Sequence, residues 1–243
     1  MPLAYDALLQ IRNDGVGLID IVEYHDPNTP IAACPEWTLS DLAWHVGKVW
    51  DFWSRVVEEH MTDVETVKTI VEPGKLSGDA LIEWITASHT AIYAALVDAR
   101  PEREVWTWTG QNQNVEWVRR RMAQETAVHR WDAQLAAGAT QPIDAALAVD
   151  GIDEFLTWFM EPPGDGPGGS IHIHAADAEG EWYIEPSGER WTVEREHRKG
   201  DVALRGPASD LLLALWRRVP RTDLDVVGDE AVADRFLGHA DLE

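Results

Sequence analysis

Apolar residues recur at intervals of three and four along most of the first 140 positions, the period of helices with one buried stripe. Residues 3–24 carry that stripe in Leu8, Ile11, Leu18 and Val22, with Gly15 and Gly17 marking a bend or a close approach. After the loop HDPNTPIAACPEW, Thr38 and Asp41 stand in capping-box relation. A second helix is therefore expected from Thr38 to about residue 60. A third is expected from Ser77 to about residue 99, and a fourth from just after Asn114 to Gly138, a natural C-terminal stop. Four long helices with polar linkers are what a helical bundle needs.

The texture changes after Pro142. One more helix is expected over 144–160, and the following EPPGDGPGG (161–169) reads as a flexible segment. SIHIHAAD, EWYIEP, ERWTVEREH and DVALRG alternate with the period of strands and predict an antiparallel sheet. A helix over 208–218, the extended LDVVG and a terminal helix near 230–238 follow. The predicted class is α+β: a helical domain over 1–141 and a smaller α+β domain over 142–243.

Composition bounds the function. A chain of 243 residues, 45% hydrophobic, has ample material for a core. Its formal charge of −23 argues against a nucleic-acid backbone or an anionic membrane surface as partner. Residues 1–143 hold 11 basic and 21 acidic side chains and the remainder 9 and 22, so the acidity is no detachable tail. The single cysteine, Cys34, excludes an internal disulfide framework and any Cys-rich metal cluster. The start of the chain lacks a basic region followed by an apolar run, and no stretch approaches 18 uninterrupted apolar residues. The expectation is a cytoplasmic protein.

Two helical stripes contain polar residues where burial is expected. In the second helix, Leu42, His45, Val49, Phe52 and Val56 follow at spacings of 3, 4, 3 and 4. In the fourth, Val118, Met122, Glu125, His129, Asp132 and Ala136 follow at 4, 3, 4, 3 and 4. A carboxylate in such a core is costly unless it is paired or binds a metal. Glu125 and His129, one turn apart, can reach one ion, and His45 from a facing helix can add a third arm. Two imidazoles and a carboxylate suit zinc and leave a position open for water or substrate. Asp132 is placed to orient His129. The bland alternatives are an ordinary helix-surface Glu/His pair and a satisfied core histidine.

These residues carry a family pattern. CPEWTLSDLAWHVGKVW (34–50) and RRMAQETAVHRWDAQLAAG (120–138) resemble the mycothiol-dependent maleylpyruvate isomerase family, within the wider group of DinB-like metal-binding four-helix bundles. IHIHAADAEGEWYIE (171–185) and VALRGPASDLLLALWRR (202–218) resemble that family's C-terminal domain, an α+β unit similar to sterol-carrier folds. The resemblance implies a divalent metal, usually zinc, at the positions matching His45, Glu125 and His129. It also implies a low-molecular-weight thiol, mycothiol, as cosubstrate, and a small electrophile as substrate. The family's named enzyme turns maleylpyruvate into fumarylpyruvate, and other members look like S-transferases. With Cys34 as the chain's only thiol, a nucleophilic sulfur would come from outside. A metal-dependent hydrolase of the same fold and a noncatalytic small-ligand-binding protein are the alternatives.

Other candidates weigh less. His172 and His174 alternate with Ile171 and Ile173, and with Asp177 they form a conceivable second metal set. The isoleucines claim the core face, however, leaving the histidines outward or at a domain contact. Arg55, Arg217 and Arg218 are the candidates for binding the cosubstrate's polar part or an anionic substrate, although arginines near helix C-termini are usually solvated. Arg121 is spaced to pair with Glu125. Trp44, Trp50, Trp53, Trp84, Trp117 and Trp131 should anchor helix packing, and Trp106 and Trp108 fall in a loop that could line a substrate entrance or an interdomain contact.

Overall fold

Side-chain caps set where the helices begin. In the computed structural model, which describes residues 3–164 and 168–240, Asp6 accepts from the Leu9 amide and starts α1 (Ala7–Tyr24). That is four residues later than the apolar stripe alone suggests, because the Asp6 oxygen stops the helix there. The capping box is present. The Thr38 hydroxyl accepts from the Asp41 amide while the Asp41 carboxylate accepts from the Thr38 amide at 2.9 Å, opening α2 (Leu39–Glu58). Hydrogen bonds from Lys75 and Thr38 hold the Asp41 pKa down at about 2. Asp63 caps the single turn α3 (Val64–Val67), which the sequence pattern does not signal. α4 (Asp79–Asp98) follows a glycine, and α5 (Val115–Ala136) is capped by Asn114. Gly138, at φ +75°, ends α5 in the left-handed region that glycine adopts without strain.

The chain divides into two compact units, Met1–Gln141 and Pro142–Glu243. In the first, α2 packs on α4, α1 on α5, and the contacts of α1 with α4 and of α2 with α5 close the ring. Trp50 sits fully buried at its centre and donates its indole N–H to the Thr126 hydroxyl at 3.1 Å. Two close approaches fix the packing. A Cβ on Gly15 would fall 2.2 Å from the His89 ring, and one on Gly47 would fall 2.4 Å from Trp84. The C-terminal carbonyls of α4 are taken by Arg119, which donates to Leu96 and Ala99. α4 is long and apolar enough to cross a membrane by length and composition alone. Here its face of Leu81, Ile85, Ile92 and Leu96 is packed against the neighbouring helices.

The second unit opens with α6 (Ala145–Trp158), capped by Asp144, and continues through β1 (Ile171–Ala175), β2 (Glu181–Ser187), β3 (Arg190–Glu194) and β4 (Val202–Gly206). Then come α7 (Ala208–Leu215), β5 (Asp225–Gly228) and α8 (Glu230–Leu237). The sheet order is β3-β2-β1-β4-β5. It is mixed rather than antiparallel throughout, because residues 195–201 carry the chain from the β3 edge across to the far side of β1, so β4 runs parallel to β1. Ile171, Ile173, Trp182, Ile184, Val202 and Leu204 are all buried, and helices α7 and α8 pack against this sheet. Of the expected flexible segment 161–169, residues 165–167 lie outside the described residues.

The close α2–α4 approach predicts that Gly47→Ala lowers the stability of the protein by about 1–3 kcal/mol through overpacking against Trp84, read as a reduced denaturant midpoint with an unchanged m-value. A second expectation concerns pH. Burial holds the His89 pKa below its ordinary value, against the opposing pull of the Ile11 carbonyl it bonds at 3.0 Å. A folded pKa below the unfolded one means stability that is present above about pH 6.5 and is lost as pH falls through the His89 range. His89→Gln should therefore flatten the decline in stability between about pH 7 and 5. An identical pH slope in both proteins would remove His89 from the account.

Candidate metal centre

His45 lies on the second turn of α2, and Glu125 and His129 lie one turn apart on α5, the helix beside it. Both imidazole Nε2 atoms converge on one carboxylate oxygen. His45 Nε2 is 3.1 Å and His129 Nε2 is 3.2 Å from Glu125 Oε1, and the two rings stand edge to face with centroids 5.0 Å apart. One ligating atom from each of the three residues falls within 4.8 Å of the others. The other carboxylate oxygen, Oε2, accepts from Arg121.

Depth explains the electrostatics. The side chains of Glu125, Arg121 and His129 are about one-tenth exposed, whereas His45 is 32% exposed and opens the cluster to one side. Burial pushes the Glu125 carboxyl upward, but His129 and Arg121 outweigh it and hold the group well below the usual carboxylate range. Burial likewise pulls His129 down, and Glu125 with Asp132 outweighs it, raising the imidazole to about 9. Asp132, whose side chain is wholly buried, accepts from His129 Nδ1 at 3.0 Å. That bond fixes the ring so that Nε2 points at Glu125 and His45.

A cavity of about 320 Å³ opens beside His45, lined by Val49, Phe52, Trp53, Ile70 and Pro73 together with Lys48, Asp51 and Glu72. Lys48 pairs with Glu72 at 2.5 Å. The sequence pattern does not single out Lys48, although its position three residues after His45 places it on the same helical face. Trp37, also unsignalled, packs its ring 4.9 Å from that of His45. Trp106 stacks on Trp53 at 6.2 Å, behind the cavity wall, and Trp108 lies edge-on to Trp117.

The structure brings together His45, Glu125, His129 and Asp132 and disposes of the other candidates differently. Arg55 pairs with Asp51 at 3.1 Å, at the cavity margin. Arg217 donates to the carbonyls of Leu237, Gly238 and Ala240, closing the end of α8, and Arg218 donates to the Trp216 carbonyl. Asp177 is not beside His172 and His174. Its Oδ1 accepts from the Ala208 amide at the start of α7, while Glu181 and His197 take the place beside the histidines. Nor is His172 outward, being only 7% exposed. Cys34 occupies a turn before α2 and is half-buried.

The donor set fits a divalent metal. Two imidazoles and a carboxylate are a borderline set once the metal displaces the histidine protons, the acceptor of both histidines is the same oxygen, and His45 lines the cavity. Comparison with known proteins supplies the family. The profile of the mycothiol maleylpyruvate isomerase N-terminal domain matches residues 8–134, and that of the corresponding C-terminal domain matches residues 146–235. No curated protein sequence matches the chain. Two solved structures share the fold: a mutant of the mycothiol-dependent maleylpyruvate isomerase at 17% identity and TM-score 0.62, and the same enzyme at 16% and 0.59. In each comparison 88% of both chains is covered. With both profiles matched in order and the fold shared along most of its length, the chain belongs to the mycothiol-dependent maleylpyruvate isomerase family.

Proposed function

We propose that this protein is a zinc-dependent enzyme that uses a low-molecular-weight thiol, mycothiol, to isomerise or S-conjugate a small electrophilic acid of the maleylpyruvate type. The observation that carries the reading is the convergence of His45 Nε2 and His129 Nε2 on Glu125 Oε1 at the wall of a cavity. A divalent ion held by these three residues supplies Lewis acidity, which favours the thiolate form of an incoming thiol at neutral pH.

The chain's own groups do the rest. Asp132 keeps the proton of His129 on Nδ1 and so leaves Nε2 as the ligating atom. Arg121 neutralises part of the buried Glu125 charge and leaves Oε1 facing the histidines. Val49, Phe52, Ile70 and Pro73 present an apolar wall that limits water around the reacting centre, and Lys48, paired with Glu72, is the cation in the cavity lining that an acid group would meet. In the isomerase reaction, sulfur adds to one carbon of a conjugated cis double bond and the electron pair moves toward the neighbouring carbonyl. The resulting single bond rotates, and return of the pair expels the thiolate and restores the double bond in the trans geometry. In S-conjugation the sulfur stays attached and the displaced pair takes up a proton.

The test is turnover of maleylpyruvate and related electrophiles with thiol and metal varied independently. Activity should require both, and His129→Ala should abolish it together with one equivalent of bound metal. Undiminished turnover in chelator-treated protein would sink the proposal, and turnover indifferent to thiol would favour the hydrolase instead. Asp132→Asn, which removes the acceptor but keeps the shape, should weaken metal binding at this centre about 10–100-fold while the helical content stays unchanged.

A further inference from the structure

The second unit holds another cluster of metal-binding side chains, and neither the proposed chemistry nor the family profiles assign it a role. Strand pairing builds it. His172 and His174 on β1 lie opposite Tyr183 and Glu181 on β2, so both histidines and Glu181 share the sheet face away from Ile171 and Ile173. The segment after β3 then brings His197 over that face. The cluster comprises three imidazoles and one carboxylate, with one ligating atom of each within 4.8 Å of all the others.

Its contacts are incomplete without a cation. His174 Nδ1 is 2.7 Å from Glu181 Oε1 and His197 Nδ1 is 2.8 Å from Oε2, so the two carboxylate oxygens are each engaged. His172 Nε2 has no hydrogen-bond partner, although its side chain is nine-tenths buried and points at the same carboxylate from 3.7 Å. A buried nitrogen without a partner forfeits the hydrogen bond it would make in water. The three rings crowd edge to face, with His172 and His197 centroids 5.2 Å apart and His172 and His174 5.9 Å apart. Protonating all three would place like charges side by side. Of the arginines at this face, Arg205 on β4 is exposed and Arg198 lies over the Tyr183 ring, 3.9 Å from its centroid.

We infer that His172, His174, Glu181 and His197 form a second transition-metal site, a four-ligand set suited to zinc. One ion satisfies the orphaned His172 nitrogen, neutralises Glu181 and relieves the crowding of the rings. Tetrahedral ligands at about 2.0–2.1 Å from zinc lie about 3.3 Å apart, so small rotations of these side chains close the set. Four protein ligands leave no open position, which makes the ion structural, a fastening of the 195–200 segment to the centre of the sheet. The same segment carries the chain from β3 to β4, so the ion sits at the sheet's crossover.

The experiment uses the full chain, chelator-stripped, in a His45→Ala/His129→Ala background that removes the α2–α5 centre. Titration with Co²⁺ and Zn²⁺ should show one equivalent bound at about micromolar free metal, with the visible spectrum of tetrahedral cobalt. Adding His174→Ala/His197→Ala should abolish that equivalent. His197→Ala alone, at a side chain 77% exposed and so harmless to folding, should weaken binding at least about tenfold. Metal should also protect the amides of 195–200 from hydrogen exchange. No binding in the first background, or binding unaffected by the loss of His174 and His197, would overturn the inference. Because the α2–α5 centre is absent from this background, either result is independent of the proposed enzymatic reaction.

Discussion

A carboxylate buried among helices must be balanced where it stands, and much of the first unit is arranged around that requirement. Glu125 occupies a position in the α5 stripe that an apolar residue would fill at no electrostatic cost. It stays ionised because Arg121 holds one oxygen and two histidines crowd the other. His129 is in turn steadied by Asp132, which has no exposure of its own. Each of these groups would be expensive alone, and together they form a chain of opposite charges from the core to the cavity wall. The neighbouring structure serves the same end. The capping box fixes the start of α2, and Gly47 lets α4 come close enough to that helix for Trp84 to pack against it. His45 is thereby held at the depth at which it meets Glu125.

The helical architecture was legible because strong local signals agreed. Thr38 with Asp41, Asn114 and Gly138 mark helix ends through hydrogen bonds made within a few residues, and the 3–4 spacing gives the buried face. The three residues of the candidate centre were visible for the converse reason: they break an otherwise apolar stripe. Lys48 breaks none, since a lysine on a helix is unremarkable until a loop such as 70–73 is seen to lie across it. The parallel pairing of β4 with β1 was illegible because alternation reports which face a residue occupies and says nothing of which neighbour it bonds.

The histidines of β1 show the same limit. Their alternation with isoleucine separated the two faces of the strand correctly, but the face opposite the isoleucines is covered rather than free. His197 lies more than twenty residues away in an irregular stretch with no period, and Glu181 belongs to the next strand. Asp177, nearer in sequence, is drawn off to cap a helix. Proximity along the chain points to Asp177, whereas register across the sheet places Glu181 beside the histidines.

The segment from Ile70 to Lys75 is tied to α2 at two points, Lys48 with Glu72 and Asp41 with Lys75. The cavity therefore comes with a resident carboxylate already seated on its cation. Under the proposed function, a ligand's acid group would meet Lys48 already engaged by Glu72, either displacing that carboxylate or sharing the ammonium's three donors with it. The pull of Lys48 on a ligand's charge would then be partly taken up by Glu72, and shape and the apolar wall would carry more of the choice among ligands. The second tie, at the helix cap, would still hold Lys75 to α2 with the Lys48–Glu72 pair open.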